Sequence, residues 1–151
     1  MKEERQGTIL AVCISDRRGE QKHPVPSVHL LPGHGIDGDA HAGRWHRQVS
    51  LLADESVDTL RERICLPLFP GAFAENIRTK GIALHTLPVG AKLRVGTAVC
   101  EVAQIGKECH ADCEIRRITG DCVMPREGIF AVVLQEGTAA AGDPVQLLET
   151  F

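Results

Sequence analysis

Short apolar runs, broken by glycine and proline, are spread along most of the chain. The first of them, GTILAVCIS at residues 7–15, is rich enough in apolar and β-branched residues to form a strand. Pro24 and Pro26 favour an extended segment at a sheet edge, because proline lacks the N–H group that a central strand requires. Further apolar or alternating runs predict strands at residues 48–52, 82–84, 92–95, 98–103, 128–134 and 144–148.

One segment has a helical period. Val57, Leu60 and Ile64 fall at the i, i+3 and i+7 spacing of a single buried helix face, which predicts a helix over residues 53–64. Asp54 is suited to cap its N-terminus.

The pattern as a whole predicts a mainly β fold, a barrel or a sandwich with one or two short helices, rather than alternating strands and helices. A length of 151 residues fits one domain over residues 1–151, with its core at about 7–148. The net charge of -3 and the absence of tyrosine disfavour nucleic-acid binding. The N-terminus lacks the apolar region of a signal peptide, and no apolar run approaches the roughly 18 residues of a membrane span, so we expect a cytoplasmic protein that binds no membrane.

A glycine-rich stretch, PGHGIDGDAHAG, occupies residues 32–43. Its part GHGIDG matches the spacing of a dinucleotide-binding motif, but a proline precedes it and no helical period follows, so we predict a sharply turning loop. Basic side chains occur here at His34, His41, Arg44, His46 and Arg47. They could bind an anion such as a phosphate, because arginine presents a fork of donors. A solvated loop whose histidines cap turns is the alternative.

Two polar residues further along, Glu75 and Asn76, stand between apolar neighbours. Buried polar groups are normally hydrogen bonded. These two side chains therefore either satisfy buried backbone groups or face a site.

The chain contains six cysteines. In a reducing compartment they are not expected to form a disulfide framework, so we interpret them as buried, metal-binding or reactive. Cys13 lies inside the first predicted strand and Cys65 at the end of the predicted helix, and both are predicted to pack in the core.

Three further cysteines lie among charged residues in QIGKECHADCEIRRITGDC: Cys109, Cys113 and Cys122. A nearby cation lowers a thiol pKa and favours the thiolate, which is both the nucleophile and the metal ligand. Lys107 and His110 flank Cys109, which follows directly from a predicted strand. This segment is therefore where we expect the chemistry.

Three interpretations of the cluster remain open. One thiolate could be a nucleophile that accepts a sulfane sulfur as a persulfide. The three cysteines and a histidine could instead hold zinc, although C-x3-C is not the familiar C-x2-C spacing. Some of the thiols could simply be buried.

Several motifs, taken together and in order, resemble the MOSC domain, which is named from the C-terminal part of molybdenum cofactor sulfurases. The resemblance covers about residues 7–148. The motifs are GIDGDAHAG at 35–43, HRQVSLL at 46–52, FAENI at 73–77, LPVGAKLRVG at 87–96, VAQIGKECH at 102–110, MPREGIFAVVLQEG at 124–137 and AAGD at 140–143.

The resemblance implies a MOSC-type β-barrel and a role around the molybdenum cofactor (molybdopterin), with one cysteine used for sulfur transfer or metal binding. It places that cysteine on Cys109, where His110 and Lys107 would favour the thiolate. Cys113 and Cys122 resemble a bacterial subgroup, and their role as metal ligands beside Cys109 or as a resolving pair is open. The cofactor-binding residues expected on this basis are His34, Asp39, His41, Arg44, His46, Arg47, Glu75, Asn76 and Arg126.

We therefore expect a stand-alone MOSC barrel that binds the molybdenum cofactor and carries or transfers sulfur in cofactor maturation. No pyridoxal-phosphate desulfurase domain is present, so a cysteine desulfurase or another sulfur donor would supply the sulfur. A molybdoenzyme or a cofactor-biosynthesis protein would receive the sulfur or the cofactor. Two alternatives are a non-catalytic zinc- or metal-binding module and a molybdenum cofactor-dependent reductase of N-hydroxylated compounds.

Overall fold

Strands make up most of the secondary structure in this computed structural model, which describes residues 6–18, 20–61, 68–106 and 127–148. Helix α1 comprises Asp54–Arg61, and a 3₁₀ turn comprises Leu84–Thr86. No helix within the described residues is long and apolar enough to cross a membrane. The strands are β1 (Gln6–Ile14), β2 (His23–Val25), β3 (Val28–Leu31), β4 (Gly35–Ile36), β5 (Val49–Ala53), β6 (Ile77–Lys80), β7 (Lys92–Val95), β8 (Ala98–Ile105), β9 (Ile129–Gln135), β10 (Gly137–Ala139) and β11 (Pro144–Leu147).

Seven strands close into a barrel in the order β1, β11, β7, β8, β9, β5, β6 and back to β1. Closure depends on β1, which pairs with β6 along one edge. Its other edge pairs with β11 at residues 6–8 and with β2 at residues 12–14. Strands β3, β4 and β10 form a separate small sheet. The predicted mainly β barrel is confirmed.

The barrel has an apolar interior and a second apolar cluster on its outer face. In β5, Leu51 belongs to the interior and Leu52 to the outer cluster. All five residues of β5 are buried, as expected for a strand covered on both faces. The outer cluster packs α1 and the turn before β6 against the barrel through Leu52, Val57, Leu60, Leu68, Ala72, Phe73, Ala74 and Phe130.

Most of the predicted strands are present at nearly the predicted bounds, namely β1, β5, β7, β8, β9 and β11. The strand predicted at residues 82–84 is wrong. Leu84 begins the 3₁₀ turn instead, and Ile82 and Leu84 both pack into the barrel interior. Their apolar side chains help to fill the barrel, and their backbone pairs with no strand among the residues that the structure describes. The pattern did not predict β3, β4, β6 or β10, which are short and carry polar residues or glycine.

The predicted helix is present as α1, which begins at Asp54. Val57 and Leu60 are fully buried, as their spacing predicted. Ile64 and Cys65 lie outside the described residues. The apolar period therefore predicted the buried face of α1 correctly at Val57 and Leu60.

Arg78 of β6 is a buried cation that joins three parts of the fold. Its side chain is 1% exposed. Its Nε donates to Glu75 Oε2 and its Nη1 to Asp54 Oδ1, each at 2.7 Å, and its Nη2 donates to the carbonyl oxygen of Phe69 at 2.9 Å. Arg78 thus connects the start of α1 and the turn before β6 to the barrel.

Replacement of Arg78 by methionine should strongly destabilise the fold. The Glu75 carboxylate would stay fully buried after losing its cation, and breaking a buried ion pair in this way costs about 3–5 kcal/mol. Urea unfolding followed by circular dichroism measures the free energy of unfolding. Arg94→Met, at an exposed position of β7, is the matched control and should change it by less than about 0.5 kcal/mol. Equal effects of the two substitutions would contradict this role of Arg78.

Candidate functional site

The glycine-rich segment contains β4, and Gly38, the second residue after that strand, has a φ of +85°. Gly35 has a φ of +112°, and a Cβ atom there would lie 2.7 Å from the carbonyl oxygen of Gln48. Glycine alone tolerates both this backbone conformation and this close approach. The segment after β4, residues 37–47, is called the basic loop below, since it carries most of the predicted anion-binding side chains.

Asp39 anchors the basic loop to the segment after β1. Its Oδ1 accepts the backbone N–H of Ser15 at 3.1 Å and the ammonium of Lys22 at 2.8 Å. Its Oδ2 accepts the backbone N–H of His41 at 3.1 Å. Burial by itself would raise the pKa of Asp39. The charge of Lys22 and hydrogen bonds from Lys22, Asn76 and His41 have the larger effect, and the pKa of Asp39 is lowered. Asp39 therefore fixes the start of the loop as a buried carboxylate.

Lys22 is the buried partner of this carboxylate. Its Nζ donates to Ser15 Oγ at 3.0 Å and to Asp39 at 2.8 Å, and it lies 2.9 Å from His41 Nδ1. Burial lowers the pKa of Lys22, and the Asp39 charge opposes that effect. Its backbone N–H donates to the carbonyl oxygen of Gly71 at 2.8 Å, which also joins Lys22 to the turn before β6.

Trp45 organises the outer part of the basic loop. Its ring stacks on His41 with centroids 6.3 Å apart and planes inclined by 6°, and its Nε1 donates to the carbonyl oxygen of His41 at 2.8 Å. The guanidinium groups of Arg18 and Arg47 lie 4.6 Å and 6.0 Å from the centroid of the Trp45 ring. Two cations, a histidine and an aromatic face are therefore grouped on one surface.

The basic loop contacts the strand that leads into the cysteine-bearing segment. His46 Nε2 lies 2.7 Å from Oε1 of Gln104 in β8, and Arg47 Nε donates to the same oxygen at 3.3 Å. Gln104 Nε2 donates to the carbonyl oxygen of Gly106 at 2.7 Å. The Arg47 guanidinium also lies 5.3 Å from the centroid of the Phe130 ring in β9. The loop thus contacts β8 and β9, the two strands that precede and follow the cysteine-bearing segment in the sequence.

The structure brings together some of the predicted site residues. Asp39, His41, His46 and Arg47 belong to the connected surface described above. His34 and Arg44 lie on the same stretch, half-buried and exposed respectively. Six further predicted residues lie outside the described part of the chain, and their roles stay predictions: Lys107, Cys109, His110, Cys113, Cys122 and Arg126.

Glu75 and Asn76 are fully buried and bind backbone groups. Glu75 accepts the N–H groups of Gly71 and Phe73 at 3.0 Å each, across a turn in which Ala74 has a φ of 63°. Asn76 Oδ1 accepts the N–H of residue 50 at 2.9 Å, and its Nδ2 donates to the carbonyl oxygen of residue 13 at 3.1 Å. The structure therefore shows that both side chains form hydrogen bonds with buried backbone groups. Their contact with a cofactor stays a prediction.

A cavity of about 390 Å³ opens where β5 ends and β9 begins. Among its lining residues, Ala53 and Ile82 are apolar, whereas Glu55, His85 and Glu127 are polar. His85 Nδ1 lies 3.8 Å from Glu127 Oε1. The volume suits part of a small ligand. The cavity reaches Glu127, two residues before the start of β9.

Comparison with known proteins identifies the family. The sequence matches the MOSC domain over residues 37–146. The chain belongs to the MOSC domain family. This family is associated with the molybdenum cofactor, so a function related to that cofactor is supported in general terms. No curated protein matches the sequence.

Three solved structures with the same fold are similar to this chain over most of its length. YuaD from Bacillus subtilis has a TM-score of 0.77 and 17% identity, with 94% of this chain and 95% of that chain covered. YiiM from Geobacillus stearothermophilus has a TM-score of 0.74 and 23% identity, with 95% and 75% covered. YiiM from Escherichia coli has a TM-score of 0.67 and 19% identity, with 97% and 71% covered. At these identities the similarity shows the fold.

Two cysteines of the MOSC barrel, Cys13 and Cys100, lie in its core. Both are buried free thiols. Burial raises the pKa of each thiol to about 12. At Cys13 the negative charge of Glu75 makes a smaller contribution in the same direction. Because the thiolate is the reactive form, neither is suited to carry sulfur. The prediction that Cys13 packs in the core is confirmed.

No group of three or more His, Cys, Asp or Glu side chains that could hold a metal occurs within the described ranges 6–18, 20–61, 68–106 and 127–148. The three cysteines predicted as metal ligands lie outside those ranges. The donors of the basic loop are instead cationic or N–H groups, which fit the oxyanion end of a molecule such as molybdopterin.

Lys22, Trp45 and Gln104 were not singled out as site residues from sequence. Lys22 lies in a polar part of the sequence, and nothing in that local pattern predicts that its side chain is buried. Trp45 did offer a signal, since the only tryptophan of the chain stands between Arg44 and His46. Gln104 lies five residues before Cys109, but its contact with the basic loop depends on the tertiary structure.

Cys13 and Cys100 should resist alkylation in the folded protein. With pKa values of about 12, neither thiol is ionised appreciably at pH 8. Iodoacetamide labelling followed by peptide mass spectrometry should find both cysteines unmodified under native conditions and modified in urea. Rapid native labelling of either thiol would contradict its assignment to an inert core.

Proposed function

We propose that this MOSC barrel binds the molybdenum cofactor or its pterin precursor and carries sulfur on Cys109 during cofactor maturation. The main support is the contact of His46 and Arg47 with Gln104. It joins the basic loop to the strand that continues toward Cys109. An anion-binding surface and a nucleophilic thiol would then belong to one site.

The basic loop would hold the anionic end of the ligand. Arg44 and Arg47 would bind phosphate oxygens through charge-assisted hydrogen bonds, with His41 and His46 as further donors. Arg18 adds a third guanidinium group, 4.6 Å from the centroid of the Trp45 ring. The bound cofactor would supply a molybdenum centre that can accept a sulfur ligand.

Cys109 would carry the sulfur in transit. Its thiolate attacks the terminal sulfur of a persulfide on the donor protein, a new S–S bond forms, and the donor cysteine leaves as a thiolate. Lys107 and His110 would favour the thiolate form of Cys109. A cysteine desulfurase fits the role of donor, and a molybdoenzyme or a cofactor-biosynthesis protein that of acceptor. Cys13 and Cys100 do not compete, because their thiols stay protonated in the core.

Incubation with a cysteine desulfurase and cysteine should add sulfur to the wild-type protein, and Cys109→Ser should prevent this. Intact-protein mass spectrometry measures the added sulfur, and peptide mapping locates it. Cys113→Ser and Cys122→Ser are the matched controls and should still accept sulfur at Cys109. Equal loading of Cys109→Ser and the wild type would refute the role of this thiol.

Arg47→Met should weaken cofactor binding. Loss of one charge-assisted hydrogen bond costs about 1.5–3 kcal/mol, which corresponds to roughly a 10- to 100-fold increase in Kd. Titration of the protein with molybdopterin, followed by pterin fluorescence, measures this. The exposed Arg94→Met on β7 keeps the net charge matched and should bind as the wild type does. Equal affinity of the two variants would remove Arg47 from the site.

The metal-binding and reductase alternatives lead to different measurements. Elemental analysis of the purified protein is the first measurement, and a finding of stoichiometric zinc would favour a metal-binding module. Molybdenum together with pterin fluorescence would favour cofactor binding. Turnover of an N-hydroxylated compound by the cofactor-loaded protein would then be needed to support a reductase.

A further inference from the structure

The side-chain amide of Gln104 has one orientation that satisfies its neighbours. Its Oε1 accepts the Nε–H of Arg47 at 3.3 Å, and its Nε2 donates to the carbonyl oxygen of Gly106 at 2.7 Å. The reverse orientation would set an NH₂ group against the Arg47 donor and an oxygen against a carbonyl oxygen. The amide oxygen therefore faces the basic loop, where His46 Nε2 also lies 2.7 Å from it.

Among the described residues, Arg47 is held by neutral groups. Its Nε contacts the Gln104 amide, and its guanidinium lies 5.3 Å from the ring centroid of Phe130 and 6.0 Å from that of Trp45. Within residues 6–18, 20–61, 68–106 and 127–148, Arg47 forms no ion pair and no second hydrogen bond. A guanidinium has five N–H donors, so the four on Nη1 and Nη2 have no partner in those ranges.

Two other buried cations are held differently. The ammonium of Lys22 lies 2.8 Å from an Asp39 oxygen, and Nε of Arg78 lies 2.7 Å from a Glu75 oxygen. In each pair a carboxylate neutralises the cation, which suits an anchor within the fold. No carboxylate in the described part of the chain pairs with the half-buried Arg47. Its charge therefore remains free to attract an anion from solution, and partial burial strengthens that attraction.

We propose that Gln104 is a positioning residue, which fixes Arg47 through Nε and leaves both Nη groups to bind an oxyanion in a bidentate manner. Two parallel N–H donors match the oxygens of phosphate and carboxylate groups. The hydrogen bond to a neutral amide orients the guanidinium without neutralising it. This positioning role rests on the proposed function, in which the basic loop binds the anionic end of the cofactor.

Glutamine suits this role better than a side chain of similar shape. A glutamate at position 104 could still accept the Arg47 Nε–H, but its charge would pair with the guanidinium and compete with the ligand. It would also lose the donor that binds the Gly106 carbonyl oxygen. A methionine would keep the approximate volume and lose both contacts. The two substitutions therefore distinguish the orientation of Arg47 from its charge.

Gln104 also binds the turn that follows β8. Gly106 has a φ of 70°, and its N–H donates to the carbonyl oxygen of Gly128 at 2.7 Å. The Gln104 amide binds the carbonyl oxygen of the same glycine. One side chain thus contacts both the basic loop and the turn from which the chain continues toward Cys109.

Titration of the full chain with inorganic pyrophosphate at low ionic strength tests this role. The fluorescence of Trp45, the only tryptophan, reports binding beside Arg47. Gln104→Met should raise Kd roughly 2- to 10-fold, as expected for loss of one hydrogen bond. Gln104→Glu should raise Kd further, because its carboxylate pairs with the guanidinium. Gln135→Met and Gln135→Glu, at an exposed position of β9, are the matched controls and should bind as the wild type does.

A double-mutant cycle with Arg47→Met shows whether the effect passes through Arg47. In that background, Gln104→Met should change Kd by less than about twofold, whereas a purely structural effect would have the same size in both backgrounds. Wild-type affinity of Gln104→Met, independent effects of the two substitutions, tighter binding by Gln104→Glu than by Gln104→Met, or no pyrophosphate binding by the wild-type protein would overturn the proposal. Molybdopterin titration and sulfur loading of Cys109 are measured separately, so failure of the proposed function is distinguishable from failure of this inference.

Discussion

The buried ion pair between Lys22 and Asp39 is the contact on which the candidate site depends. Both side chains are inaccessible to solvent, so either charge alone would be costly to bury. Asp39 also accepts backbone N–H groups from Ser15 and His41, which join the segment after β1 to the basic loop. The pair therefore anchors the start of the basic loop, while Trp45 and Gln104 contact its outer part.

A second buried cation, Arg78, acts on the same outer face. It holds α1 and the turn before β6, while Lys22 binds that turn through the carbonyl oxygen of Gly71. Asn76 lies between these anchors and bonds to backbone of β5 and β1. Buried ion pairs often add little net stability compared with apolar substitutes. Our hypothesis is that they are used here to select one arrangement of loop, turn and barrel.

The interior and the outer face of this MOSC barrel have different chemistry. The interior is apolar and includes Cys100, whose thiol burial keeps protonated. Cys13 is also buried, and burial raises the pKa of its thiol. The outer face carries the cations and N–H donors grouped around Trp45, next to the strand that leads to Cys109. Protonated core thiols beside a cationic surface would be consistent with the sulfur chemistry proposed for Cys109.

Local patterns of side chains were enough to predict the strands in which apolar residues run together, the buried face of α1, the packing of Cys13 in the core and a sharply turning loop with basic residues. Contacts between distant segments could not be predicted in this way: Lys22 contacts His41 across 19 residues, and His46 contacts Gln104 across 58. Such contacts follow from which strands are adjacent when β1 closes on β11 and β5 lies beside β9. No local pattern encodes that order, because strand pairing joins segments far apart in the chain.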